Sequence, residues 1–194
     1  MTIEYKNIEP SDRYKLMANS VIPRPIAWIV TEDEVVNVAP FSYFTPLSSN
    51  PPVMIVSIGH KSNGEPKDTL KNIRKTKKCT ICIADDTQFE KLHFSSKELE
   101  NSISEADEFD IELEKIDDNF PPVIKGVPIA FLCEFYEEIE LKGSKTIPII
   151  VEIKKEFIQD DCIDKALHVE FNPLARIGAN YGAITEKIPA PKIP

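Results

Sequence analysis

The chain has 194 residues, of which 42% are hydrophobic and 28% are charged, and its formal net charge is −9. This length and composition are typical of one globular domain with a single hydrophobic core. Nucleic acids and anionic membranes are bound by basic surfaces, so the negative charge argues against both as partners. No apolar run is long enough to cross a bilayer, and the first residues lack the layout of a signal peptide. We therefore expect a single cytoplasmic domain over residues 1–194.

The first half of the chain predicts one helix and then a series of strands. Residues 11–18 form a short helix with Ser11 as its cap, and Tyr14, Leu16 and Met17 are its candidate packing positions. Four runs then read as strands, and a fifth segment, residues 68–77, carries apolar residues at helical spacing. The predicted strands are residues 26–30, 35–41, 53–58 and 80–84.

Cys79 and Cys82 have the spacing of a redox motif or of half a zinc site. They lie, however, on a predicted strand, where residues three apart point to opposite faces. No second pair at this spacing is present to complete a zinc site. We therefore favour buried core cysteines over a redox or metal function.

The middle of the chain, residues 85–119, is a polar and helix-prone insertion. Thr87 is a candidate cap for one helix, and Ser95 with Glu98 resembles a capping box for a second. The acidic run 104–110 is expected to be solvated. Two prolines, Pro121 and Pro122, end the insertion.

The last third predicts a long hairpin, formed by residues 129–141 and 147–158 around a short loop with one glycine. A final strand is expected over 167–171, followed by a proline-spaced, extended tail over 188–194. Strands far outnumber helices, and no βαβ alternation, GxGxxG or GxxxxGK[ST] motif is present. The fold class is therefore mainly β with peripheral helices, most simply a closed antiparallel barrel.

The segment from Asn37 to Ser42 is the most informative for function. Pro40 has no N–H to donate, so the strand must bulge, end or lie at a sheet edge there. Backbone groups and aromatic rings near Ser42 would then suit a flat heteroaromatic ligand. A plain strand end with a proline turn explains this segment equally well.

A second segment, at the start of the predicted helix 68–77, suits a phosphate. Helix N-termini offer free N–H groups and a positive dipole, to which Lys67 adds a charge and Thr69 a hydroxyl. Asp68 is a candidate helix cap. A capped surface helix with incidental lysines is the alternative. The three histidines, His60, His93 and His168, show no ligand spacing and are expected to be structural or at the surface.

Four segments in this order resemble the flavin reductase-like, FMN-binding split-barrel family, which includes flavoredoxin. They are residues 23–31, 37–44, 67–73 and 172–181, with Pro51 and Pro52 between the second and the third. The resemblance implies a six-stranded split barrel, a homodimer, and FMN bound near the subunit interface. It places around the cofactor Arg24, Thr31, Asn37, Val38, Ala39, Pro40, Phe41, Ser42, Ser57, Gly59, Lys61, Lys67, Asp68, Thr69 and Arg176.

The same resemblance implies roles within this set. Residues 37–42 would line the flavin ring and ribityl chain, and Lys67 to Thr69 would hold the phosphate. Arg176 would order the residues around the cofactor without contacting the cofactor itself. The sequence departs from the family at Asp33 and Glu34 and at the hairpin loop 143–146, which leaves the electron donor open.

Three functions follow from the resemblance. The first is a flavin reductase, in which bound FMN takes a hydride from NAD(P)H and passes electrons on, with no essential acid, base or nucleophile from the protein. The second is an FMN-binding electron carrier, reduced by a protein partner and with little NAD(P)H activity. The third is a split barrel with an empty or repurposed pocket. A redox protein or a monooxygenase is a possible partner, and no metal is expected.

Overall fold

The structure, a computed structural model, describes residues 1–184 and 186–193. Its helices are α1 (Pro10–Ser20), α2 (Asp68–Thr76), α3 (Phe89–Phe94) and α4 (Glu105–Glu108). Its strands are β1 (Arg24–Pro25), β2 (Ala27–Glu32), β3 (Val36–Phe41), β4 (Phe44–Ser49), β5 (Pro52–Ile58), β6 (Lys78–Ile83), β7 (Leu113–Glu114), β8 (Val123–Ile124), β9 (Ile129–Glu138), β10 (Ile147–Ile158), β11 (Leu174–Ile177) and β12 (Asn180–Ala183). Within this part of the chain, no helix is both long and apolar enough to cross a bilayer.

The central element is a seven-stranded antiparallel sheet in the order β3-β2-β6-β9-β10-β5-β4. A small second sheet in the order β1-β11-β12 joins the chain after α1 to the chain near residue 180. The expected mainly β fold with peripheral helices is therefore confirmed. The main sheet has one strand more than the six that the resemblance implied.

The sheet buries side chains on both of its faces. In β2, Ala27 and Ile29 belong to one hydrophobic cluster, whereas Trp28 and Val30 belong to the other. Alternate residues of a strand point to opposite faces, so a strand covered on both sides has a continuous apolar sequence. This is why β2 carries no polar residue before Thr31.

Helix α2 covers the first of these clusters, on the inner face of the curled sheet. Leu70 and Ile73, three residues apart, are fully buried there. The helix ends at Lys77, which adopts a left-handed conformation with φ 62°. The predicted helix over 68–77 is confirmed within one residue.

The polar middle segment covers the second cluster, on the outer face. Its apolar side chains Leu92, Ala106 and Ile111, together with the following Phe120, pack against the residues of β2 and β9 that point outward. The indole N–H of Trp28 donates to Ser95 Oγ at 2.9 Å. The segment is thus part of the hydrophobic core.

The cysteines lie where their strand positions predict. Cys79 belongs to the inner cluster with Cys133, its partner across β6 and β9, and Cys82 belongs to the outer cluster. The prediction that the Cys79 and Cys82 sulfurs diverge is confirmed. Cys162 is partly exposed.

Several local predictions were wrong at element ends and in polar regions. Helix α1 begins at Pro10 rather than after a Ser11 cap, and Tyr14 and Met17 are 59% and 44% exposed. No helix follows Ser95, which instead ends α3. Strand β4 was missed because five of its six residues are exposed.

The C-terminal region also differs from the prediction. Residues 167–171 form no strand, and the late strands are β11 and β12 instead. The expected hairpin is confirmed as β9 and β10, paired from Ile129 with Ile158 onward. Residues 186–193 form no helix or strand, and Pro194, the last residue of the expected extended tail, lies outside the described residues.

Candidate functional site

A cavity of about 170 Å³ lies between β3, the start of α2 and the segment after α3. These elements meet because β3 is the edge strand of the sheet and α2 crosses the inner face beside it. The cavity is lined by Asn37, Ala39, Pro40, Phe41, Gly59, Lys61, Lys67, Asp68, Thr69, Ser95, Ser96, Lys97, Glu98, Leu99 and Glu105. Residues from both segments that the sequence singled out, 37–42 and 67–69, therefore line the same cavity.

Pro40 shows why this edge is available to a ligand. It pairs with Trp28 on β2, and β3 has no neighbouring strand on its other side within the sheet. Of the outcomes expected for a proline in this run, the edge position is the one observed. Backbone groups on the free side of β3 therefore face the cavity region instead of another strand.

Asn37 is the centre of a buried polar network. Its Nδ2 donates to Glu105 Oε2 at 2.8 Å, and its Oδ1 accepts from Thr69 Oγ1 at 2.7 Å. The backbone N–H of Val38 donates to the same Oε2 at 3.0 Å. The network joins β3 to α2 on one side and to α4 on the other.

Glu105 is 6% exposed, contrary to the expectation that the acidic run 104–110 is solvated. Burial raises the pKa of its carboxyl, and hydrogen bonds from Val38 and Asn37 act in the opposite direction. Within the described ranges, no cation lies within 4 Å of this carboxylate. Its burial is not predictable from the local sequence, because an acidic run ordinarily forms a solvated surface.

Basic side chains gather at the α2 end of the cavity. Lys61 Nζ lies 2.6 Å from Asp68 Oδ2, and Lys67 Nζ lies 3.7 Å from Glu98 Oε1. Lys67 is the residue before the helix, so the first N–H groups of α2 point toward this end. The expectation that Asp68 caps the helix was wrong, since Asp68 is its first residue and pairs with Lys61 instead.

A second cavity, of about 200 Å³, adjoins the first and shares Pro40, Phe41 and Ser96 with it. Its remaining walls come from distant parts of the chain, namely Tyr14, Ile26, Ser42, Leu92, His93, Arg176 and Tyr181. The two cavities therefore lie side by side along β3.

Two side chains of the second cavity meet on Tyr181. The Arg176 guanidinium lies 4.4 Å from the centroid of the Tyr181 ring, and His93 Nδ1 lies 3.1 Å from its hydroxyl. Burial raises the pKa of the Tyr181 phenol, so the ring is neutral at physiological pH. Of this group, the sequence singled out Arg176 alone as a site residue.

Arg24 lines neither of these two cavities but contacts Ser42, which lines the second. It is buried, donates to the carbonyl oxygens of Ala18 and Val21 at the end of α1, and lies 3.4 Å from Ser42 Oγ through Nε. Arg24 thereby fixes the end of α1 against the strand end that carries Ser42.

Three further predicted residues lie outside the walls of both cavities. Thr31 is buried and accepts from Asn72 Nδ2 at 3.0 Å, which fastens α2 to β2. The Val38 side chain packs in the outer cluster, so only its backbone faces the network. Ser57 donates its N–H to the carbonyl of Tyr43.

The arrangement fits a long ligand with different chemistry at its two ends. Two lysines and a helix N-terminus suit a phosphate at one end, and Pro40 with Phe41 offers apolar contact at the other. The hairpin loop after β9 lines neither cavity, although Lys145 there contacts the His60 ring through its carbonyl.

Comparison with known proteins identifies the class that this fold and site define. The family model described as the flavin reductase like domain matches residues 17–170. The chain belongs to this family.

Solved structures of similar fold come from several sources. Nitrilotriacetate monooxygenase component B from Bacillus cereus is 24% identical with a TM-score of 0.92, and 98% of each chain is covered. The 2-nitrobenzoate 2-nitroreductase NbaA of Pseudomonas fluorescens is 27% identical with a TM-score of 0.90, covering 100% of this chain and 96% of that one. Flavoredoxin from Methanosarcina acetivorans is 14% identical with a TM-score of 0.77, covering 98% and 94%. These likenesses confirm the split-barrel fold.

Proposed function

We propose that this protein is an FMN-dependent oxidoreductase of the flavin reductase type, reduced by NAD(P)H. The observation that carries the proposal is the pair of adjoining cavities along β3, with Lys61, Lys67 and the N-terminus of α2 at one end and the apolar residues Pro40 and Phe41 shared between them. Family membership supports a flavin as the ligand. When bound, FMN supplies the hydride chemistry.

The residues of the chain would bind and orient this cofactor. Lys61, Lys67 and the first N–H groups of α2 would hold the phosphate. The free edge of β3 would hold the ring, with Ser42 at its end. The second cavity, with Arg176 and His93, would leave room beside the ring for the electron donor.

The alternative is an electron carrier reduced by another protein. Its support is the fold shared with flavoredoxin and the absence, from both cavities, of the hairpin loop 143–146. The monooxygenase component among the similar structures supports a redox or monooxygenase partner in either case. We place the reaction in the cytoplasm, where reduced nicotinamides are available.

The absorption spectrum of the purified protein and stopped-flow reduction test this proposal together. We expect FMN to be retained or taken up, and the FMN-loaded protein to be bleached by NADH or NADPH. Bleaching by neither donor would overturn the reductase proposal and favour the electron carrier. A colourless protein that does not take up FMN would show that the pocket is empty or repurposed.

We further propose a homodimer whose interface borders the site. Met17 on α1 and Val21, the residue after α1, expose 44% and 62% of their surfaces. Together with residues 23–25 and 42–45, they line an apolar cavity of about 440 Å³ that reaches Arg24 and Ser42. A contiguous apolar surface beside a site is typical of a subunit contact, and a second copy provides a matching apolar face.

A further inference from the structure

The hydrogen bonds of the buried network run in one direction. Thr69 Oγ1 lies 2.7 Å from Asn37 Oδ1, and Asn37 Nδ2 lies 2.8 Å from Glu105 Oε2. An asparagine amide looks nearly the same after a half-turn, so its orientation depends on its neighbours. The orientation of the Asn37 amide is therefore decided by whether Glu105 Oε2 accepts or donates a hydrogen bond.

The backbone N–H of Val38 determines the role of this oxygen. This N–H is always a donor and lies 3.0 Å from Glu105 Oε2, so this oxygen accepts, and in the ionised carboxylate it carries no proton to donate. The Asn37 atom that faces the same oxygen must then be the NH₂ group. Its carbonyl oxygen consequently faces Thr69, and the Thr69 hydroxyl must donate its proton to it.

This direction assigns the groups that the network offers to a ligand. The proton of the Thr69 hydroxyl is committed to Asn37, so the hydroxyl presents only lone pairs and cannot donate to a phosphate oxygen. Asn37 has one N–H committed to Glu105, and among the described residues its second N–H meets no acceptor and can donate to a ligand. One donor and one acceptor side by side complement a hydroxyl group, which both donates and accepts.

On these grounds we propose that Glu105 is a positioning residue that sets Asn37 and Thr69 to bind the hydroxylated chain of the cofactor. The proposal rests on the proposed function, since the ribityl chain of a flavin is the polyol that it names. The phosphate is bound separately, by Lys61, Lys67 and the backbone N–H groups of α2. Glu105 acts through Asn37 and touches no ligand itself.

The binding of three flavins, namely FMN, riboflavin and lumiflavin, distinguishes contacts to the ribityl chain from contacts to the phosphate. Riboflavin lacks the phosphate of FMN, and lumiflavin lacks the ribityl chain as well. Dissociation constants are measured by fluorescence titration for the wild type, Glu105→Ala and Glu105→Gln. Asp107→Asn, an exposed change on the same helix, is the matched control.

We expect Glu105→Ala to bind FMN and riboflavin roughly 3- to 10-fold more weakly, by the same factor for both, and lumiflavin unchanged. Glu105→Gln keeps an acceptor oxygen for Val38 and Asn37, so it should restore binding. Thr69→Val, which preserves shape, should also weaken FMN and riboflavin equally. It provides the test if Glu105→Ala does not fold.

Two results would overturn the proposal while leaving the proposed function intact. One is a loss in Glu105→Ala or Thr69→Val that is confined to FMN, which would assign these side chains to the phosphate. The other is unchanged binding of all three flavins. A wild type that binds no flavin would overturn both proposals.

The side-chain amide of Asn37 gives a readout without any ligand. Its two NH₂ proton signals should be widely separated in the wild type and in Glu105→Gln, because one proton is bonded and the other is not. In Glu105→Ala the two signals should move together. Unchanged signals in Glu105→Ala would show that Glu105 does not orient Asn37.

Discussion

At the scale of single residues, two lysines of the site supply charge, whereas Asn37 and Thr69 supply directed hydrogen bonds. Lys61 and Lys67 supply charge at the end of the first cavity, each already near a carboxylate. Hydrogen bonds from Ser62 lower the pKa of Glu98, so Glu98 is ionised beside Lys67. A phosphate would compete with this carboxylate for the lysine, and the surface pair itself contributes little.

The charge of Lys67 is therefore the residue-scale prediction. We expect Lys67→Ala to weaken FMN binding by about 1.5–3 kcal/mol, the range for a hydrogen bond to a charged group. Riboflavin, which has no phosphate, should bind as before. Isothermal titration with both ligands measures this. Lys75→Ala, which removes an exposed lysine farther along α2, is the control, and equal losses for FMN and riboflavin would contradict a phosphate role.

At the scale of elements, the middle segment holds the site together. Its helix α4 places Glu105 on the β3 network, and the residue after α3, Ser95, accepts from Trp28. Both contacts join this segment to the two strands that carry the site. A segment whose composition suggested a solvated insertion thus forms one wall of the cavity.

The buried carboxyl of α4 predicts a dependence of stability on pH. Burial raises the pKa of Glu105 in the folded protein, so between the ordinary glutamate pKa and the raised one the folded state binds more protons. The contribution of Glu105 to the free energy of unfolding therefore falls as pH rises through this window.

Glu105→Gln removes this contribution. Urea unfolding from pH 4 to pH 8 should show the variant gaining stability relative to the wild type as pH rises through the window, and no further above it. Asp107→Asn should show no such trend. A difference between Glu105→Gln and the wild type that does not change with pH would contradict the prediction.

At the scale of the whole molecule, a sheet covered on both faces leaves its cysteines unreactive. Cys79, Cys82 and Cys133 are fully buried, and burial raises the pKa of Cys82 to about 12. The thiolate is the reactive form, so burial denies reagents access to all three thiols, and the raised pKa protects Cys82 further. Cys162 is partly exposed.

A thiol titration checks this packing. The native protein should react with a disulfide reagent at Cys162 alone, and all four cysteines should react after unfolding in denaturant. Cys162→Ser should abolish the native reaction. Rapid native labelling of more than one thiol would show that the sheet opens at equilibrium.

The apolar face of α1 and β4 predicts the oligomeric state. We expect the wild type to sediment as a dimer, and Met17→Glu with Val21→Glu to sediment as a monomer, because each buried carboxylate would lack a partner. Ile188→Glu, which changes an exposed apolar residue elsewhere, should remain dimeric. A monomeric wild type would contradict the prediction.

The sequence by itself determined the elements that have a clear hydrophobic period and clear boundary residues. The β9–β10 hairpin, helix α2 and the opposite directions of Cys79 and Cys82 follow from local alternation and helical spacing. Pro40 limited its strand to a bulge, an end or a sheet edge, because a missing N–H is a local property of the chain. The resemblance then related this strand to the start of α2.

The tertiary structure alone decided what depends on distant neighbours. Whether the carboxylate of Glu105 is solvated or buried depends on the edge of β3, 68 residues away along the chain. The exposed strand β4 pairs with β5 without an apolar pattern of its own, and Tyr181 and His93 meet from residues 88 apart. Local sequence specifies backbone conformation and which face is apolar, whereas burial of a charge is decided by the donors that the fold brings to it.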